Sequence, residues 1–213
     1  MARDTLTSRI LRWLLLAALA GVALQLFFIG RIALMAVVDP SSTTFERSEA
    51  WRIVTEKGAL RWRQQWVPYA QISDHLKRAV IASEDGDFIN HDGVEWEAIE
   101  KAWQKNTQAE ELAAKRAART PPGRPAPATK APKIVGGSTI TQQLAKNLLL
   151  SGERTLLRKG QEFVLTLALE LLLSKQRILE IYLNHVEWGE GVFGAEAAAQ
   201  HYYRKPASKL SAY

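Results

Sequence analysis

The sequence predicts a mainly α-helical domain carried behind a single N-terminal transmembrane helix. Three observations predict it. Residues 13–30, WLLLAALAGVALQLFFIG, hold no charge and one amide, Gln25. Several later stretches repeat apolar residues at helical spacing. Strand signal is confined to WRIVT at residues 51–55.

The 213 residues suffice for one sizeable domain plus an appendage, and 47% apolar content can bury a core. The formal charge of +6 favours an anionic partner: nucleic acid, a membrane surface or a phosphate-bearing substrate. Cysteine is absent, which excludes disulfides, thiolate metal sites and a thiol nucleophile.

The uncharged run spans roughly 27 Å as a helix, close to the hydrocarbon thickness. Arg3, Arg9 and Arg12 precede it against one Asp4, so residues 1–12 read as a cytoplasmic tail. Arg31 sits where it can snorkel at the outer boundary. Ala18-Leu19-Ala20 resembles a signal-peptidase site, but cutting there leaves an exposed apolar N-terminus. An uncleaved anchor with its flank at 13–38 is therefore the expectation. Asp39-Pro40 and SSTTFERSEA read as a break before a globular domain at 45–213.

Trp51, Trp62 and Trp66 fit a membrane interface or an ordinary core equally well. Residues 69–85 have helical spacing, with Ile72, Leu76 and Val80 four apart and Ala79 adjoining. Residues 95–106 read as a second helix. Residues 107–135 are rich in Ala, Lys, Arg and Glu and then in proline, and read as a surface insertion. Residues 156–188 read as strongly helical. Within them EFVLTLALELLLS is apolar nearly all round, which predicts a buried core helix. Glu170 and flanking charges argue against a second membrane span.

Four stretches carry chemistry. ASEDGDFINHDG (82–93) packs Glu84, Asp85, Asp87 and Asp92 around Phe88 and His91. Crowded carboxylates oppose one another's ionisation, which suits a general acid or base; a solvated acidic turn is the plainer alternative. GGSTITQQLAKN (136–147) has the T-x-x-Q spacing of a capping box at Thr139 and Gln142. Ile140, Leu144 and Leu148 form an apolar stripe there, and Thr139, Gln142, Gln143 and Lys146 form a polar face. Its glycine-preceded N-terminus offers free N–H groups to an anion, and Lys146 adds a charge. In RTLLRKGQE, Arg154, Arg158 and Glu162 fall at i, i+4 and i+8. They suit either an ion-pair ladder or a phosphate held beside a carboxylate. WGEGVFGAEAAAQHYY matches G-x-G-x-x-G, but helix rather than strand is expected before it, which rejects a dinucleotide site. No Walker loop, zincin or penicillin-binding signature is present.

In this order and behind one anchor, these stretches resemble glycosyltransferase family 51, the peptidoglycan glycosyltransferases, in particular its monofunctional biosynthetic members. The matching motifs are E-D-x-x-F-x-x-H-x-G at 84–93, G-G-S-T-I-T-Q-Q-x-x-K-N at 136–147 and R-K-x-x-E at 158–162. KQRILEIYLN at 175–184 and GEGVFGAEAAAQHYY at 189–203 complete the set.

The resemblance implies a lysozyme-like, mainly α domain on the outer, periplasmic face of the bacterial cytoplasmic membrane. The implied substrates are lipid II and the growing lipid-linked glycan, with membrane lipid beside them and no nucleic acid. Penicillin-binding transpeptidases and division proteins are the implied class of protein partner. Glu84 is implied as general base and Glu162 as second carboxylate. Lys146, Arg154, Arg158 and Lys159 are implied to hold the donor diphosphate. Asp85, Phe88, His91, Ser138, Thr139, Gln142, Gln143 and Asn147 are implied to line the cleft. No cofactor is required, although Mg or Mn is compatible with the family.

Two features depart from the family pattern. The insertion at 107–135 separates the first two motifs widely. The chain stops at SKLSAY, where the family usually continues through further helices, as a truncated chain would. Two other functions remain open alongside the polymerase: a lysozyme-like glycan hydrolase, and a non-catalytic cell-wall assembly partner.

Overall fold

The computed structural model describes residues 2–118, 136–150, 152–153 and 155–212. Helix α1 (Ala2–Leu34) contains the apolar run, and its segment Leu6–Leu34 is long and apolar enough to cross a membrane. It is exposed along most of its length, but near its end Ile32, and Met35 just beyond it, enter the main core. The expected break at Asp39-Pro40 is a fastened turn. Arg177 donates to the carbonyls of Met35 and Val38 and to the Asp39 carboxylate.

The expected strand at 51–55 is helix instead. Helix α2 (Thr44–Lys57) is fixed at both ends, which overrides the β-prone Trp-Arg-Ile-Val-Thr. Thr43 and Glu46 form a capping box, and Gly58 closes the far end in the left-handed region at φ 69°. Trp62 stacks on Phe193 at 4.4 Å, and Trp66 packs against the core, whereas Trp51 is exposed.

A short 3-10 turn (Tyr69–Gln71) precedes α3 (Asp74–Glu84), so Ile72 lies ahead of the helix, which Ser73 caps. Helix α4 (Trp96–Ala118) runs well past the expected end at 106, into the stretch read as insertion. Ala, Glu, Gln and Lys are strong helix formers, and Lys101–Glu97 and Lys115–Glu111 pair one turn apart. A stretch that cannot build a core still forms a solvated helix. The proline-rich stretch at 119–135 lies outside the described residues.

Helix α5 (Ile140–Leu149) is the centre of the domain, packed against α2, α6 (Leu156–Leu172) and α7 (Lys175–His185). Its stripe of Ile140, Leu144 and Leu148 is fully buried, as its spacing predicts. Helix α6 buries only one face, with Leu165, Thr166 and Leu169. Phe163, Val164, Leu167 and Leu171 stay exposed, contrary to the expectation of an all-round core helix.

The expected continuous helix to 188 breaks at Leu173-Ser174, where Ser174 caps α7, and ends at His185. Strands β1 (Arg63–Gln64), β2 (Glu187–Gly189) and β3 (Val192–Phe193) then form a small sheet in the order β1-β3-β2. β1 runs parallel to β3, and β2 antiparallel to it. Gly191 has φ 72°, and a Cβ there would lie 2.1 Å from the Arg61 carbonyl oxygen. Gly194 begins α8 (Ala195–Tyr203), whose alanines pack flat against the core. The glycine series thus serves a hairpin and a close helix start.

Candidate active site

The site is built around the N-terminus of α5. Asp85, just past the end of α3, is buried and bonded through both oxygens. One accepts from the backbone N–H of Ile140 at 2.9 Å; the other faces His91 Nε2 at 2.8 Å. His91 Nδ1 accepts from the Gly93 N–H at 3.0 Å, so its hydrogen sits on Nε2 and is donated to Asp85. Thr139 caps the helix, accepting from the Gln142 N–H and donating to the Gly93 carbonyl at 2.6 Å. The Gln142 side chain closes the box on the Thr139 N–H.

The helix N-terminus expected to receive an external anion is therefore already filled. Its anion is the carboxylate of Asp85, which meets both the free N–H and the positive end of the helix dipole. The acidic stretch is not one proton-sharing cluster either. Asp85 is buried in this clasp, Asp87 accepts from Asn90, and Glu84 turns outward. Phe88 is fully buried beneath, with the Lys175 ammonium 4.7 Å from its ring centre.

Glu84, the last residue of α3, is exposed and held by one neighbour. Its Oε2 accepts from Gln143 Nε2 at 3.0 Å, and Gln143 Oε1 accepts from the Tyr182 hydroxyl at 3.1 Å. Burial, together with the charges of Glu84 and Asp85, pushes the Tyr182 hydroxyl above its usual value of 10.0, so it stays a donor. Sequence reasoning missed Tyr182, although it lies in the KQRILEIYLN motif. Its helix neighbours there tie the motif to the segment ahead of α3. Glu180 accepts from the Tyr69 N–H, and Asn184 bonds both backbone groups of Val67.

Gln143 leads into a cleft of about 390 Å³. Ser138, Gln142, Gln143, Lys146 and Asn147 line it from α5 and its approach, and Arg158, Lys159 and Glu162 line it from α6. Phe45 and Ser48 of α2 also contribute, and nothing in their sequence surroundings marked them. Glu162 is buried, with Arg158 Nη1 at 2.8 Å from one oxygen and Lys159 on the other. Arg158 Nε is buried without a partner. Lys146 is exposed to the cleft and has no ion-pair partner among the described residues. Lys146, Arg158 and Lys159 stand against Glu162 and Glu153 in the lining, which leaves the cleft with an excess of positive charge. Arg154 lies outside the described residues; α6 begins at Leu156 with Thr155 as its cap.

One group of potential metal ligands stands out: Asp85, His91 and Glu95, whose ligand atoms lie within 4.8 Å of one another. These donors do not fit a divalent cation as arranged. Both His91 nitrogens and both Asp85 oxygens are already engaged in the clasp on α5.

The sequence matches the family described as transglycosylase over residues 52–115 and 126–213, passing over part of the proline-rich stretch. It is 51% identical over 206 residues to a biosynthetic peptidoglycan transglycosylase of Burkholderia thailandensis, covering 95% of this chain and 72% of that protein. A protein of the same description from Cupriavidus metallidurans is 52% identical over 211 residues, with 94% and 79% covered. One from Burkholderia pseudomallei is 51% identical over 194 residues, with 91% and 68% covered.

Proposed function

This chain belongs to the transglycosylase family, glycosyltransferases with a lysozyme-like, mainly α fold, and from that premise we propose that it polymerises lipid II into peptidoglycan glycan strands. The observation that carries the reading is a cleft lined by Lys146, Arg158 and Lys159, in which one lining residue, Gln143, also holds the exposed carboxylate of Glu84.

The donor is the growing lipid-linked glycan, and the acceptor is the 4-hydroxyl of an incoming lipid II. Glu84 takes the hydroxyl proton as the oxygen attacks the anomeric carbon. The bond from that carbon to the diphosphate breaks, and the diphosphate leaves with the electron pair as undecaprenyl diphosphate. Lys146, Arg158 and Lys159 neutralise the charge that builds on it. Glu162 keeps Arg158 and Lys159 aligned along the cleft wall. Single displacement inverts the anomeric centre, and no covalent glycosyl-enzyme is required. Ser138 and Asn147 line the same cleft as sugar contacts. Thr139, Phe88, Asp85 and His91 act behind it, holding α3 against α5. Arg154 joins the cations by resemblance alone.

The apolar α1 acts as a membrane anchor, N-terminus in the cytoplasm, with the catalytic domain on the periplasmic face of the inner membrane. This holds the cleft on the surface that carries the lipid-linked substrates. A hydrolase of finished glycan releases no diphosphate, and the cations at 146, 158 and 159 have no task in it. Incubation with labelled lipid II in detergent is expected to yield long glycan and undecaprenyl diphosphate. Cleavage of preformed glycan with lipid II left intact would contradict the reading.

A further inference from the structure

Gln25 is the only amide in the uncharged run of α1. Its Nε2 donates to Gln161 Oε1 at 2.7 Å, and its Oε1 accepts from Gln161 Nε2 at 3.0 Å. The two side chains thus satisfy each other reciprocally. Gln25 stands within the segment long and apolar enough to cross a membrane. An amide left unpaired in hydrocarbon is costly, so a membrane favours the closed pair.

α6 exposes Phe163, Val164 and Leu167, a set of apolar side chains that water disfavours and lipid accepts. Gln161 also directly precedes Glu162, about 100° around the helix. One residue faces the anchor and the next faces the cleft. Locking Gln161 therefore locks the rotation of the helix that carries Arg158, Lys159 and Glu162.

We propose that Gln25 and Gln161 form a clasp between the anchor and the catalytic domain that sets the rotation of α6. It fixes the direction in which the cationic wall of the cleft faces. Both are positioning residues. Their effect on turnover rests on the polymerase reading, whereas the clasp itself rests on geometry.

The test uses the full chain in vesicles of phosphatidylethanolamine and phosphatidylglycerol. The protein has no cysteine, so a Gln25→Cys/Gln161→Cys variant carries only two thiols. A short bifunctional thiol reagent is expected to join residues 25 and 161 within one chain, as read by mass spectrometry. Gln25→Leu is expected to slow polymerisation in vesicles by about threefold to tenfold, by raising KM for lipid II, and to leave the rate in detergent unchanged. Gln161→Leu should do the same, and the double variant should be no worse than either, because one bond is shared. Failure to link the thiols overturns the clasp. Parent-like rates in vesicles, or equal loss in vesicles and detergent, overturn the positioning role. If the parent itself is inert on lipid II, the polymerase reading fails and the thiol link alone decides the clasp.

Discussion

Glu84 and Glu162 are the two carboxylates proposed to work together, yet their surroundings are opposite. Glu84 is exposed and touched by a neutral amide, which Tyr182 holds in turn. Glu162 is buried and touched by two cations. A carboxylate beside a neutral donor keeps a lone pair free for a proton. One between Arg158 and Lys159 is already spent as their counter-ion. On the proposed reading, proton transfer belongs to the wall made by α3, Gln143 and α7, and charge neutralisation to the wall made by Lys146 and α6.

The most severe way to break this division is Glu84→Gln. It keeps the shape and removes the base, and is expected to lower kcat by about 10²–10⁴-fold with KM unchanged, measured on labelled lipid II. Lys146→Ala, on the other wall, is expected to cost about 10²–10³-fold in kcat/KM. Glu162→Ala leaves the half-buried Arg158 without its anion. A loss of about 3 kcal/mol in urea unfolding is expected, beyond any loss of activity.

Tyr182→Phe gives the smallest effect, about 1 kcal/mol at neutral pH for the bond to Gln143. It also sharpens the contrast through pH. The folded chain holds the Tyr182 hydroxyl above its ordinary value of 10.0. Its contribution is therefore complete below pH 10 and lost as pH rises above that value. Urea midpoints should fall on the alkaline side in the parent, and less so in Tyr182→Phe.

What was legible in the sequence follows from local rules. The uncharged run gave a helix long and apolar enough to cross a membrane, and the i, i+4, i+8 stripe of α5 gave the buried face. The motif residues of α5 and α6 do meet in one cleft. The failures came from contacts distant in sequence. Spacing showed an α5 N-terminus free for an anion, but Asp85, 55 positions away, fills it. WRIVT looked like strand until the caps at Thr43 and Gly58 were set against it. α6 looked buried all round because composition does not distinguish a protein core from an exposed apolar face. Tyr182 was hidden because its role exists only through Gln143, on another helix.

The division between the two walls is tested most directly by binding. A fluorescent lipid-diphosphate-linked glycan is titrated into Glu84→Gln and Lys146→Ala in detergent, without acceptor. The account predicts parent-like affinity for Glu84→Gln and clearly weaker affinity for Lys146→Ala. Lost binding in Glu84→Gln with parent-like binding in Lys146→Ala would contradict it.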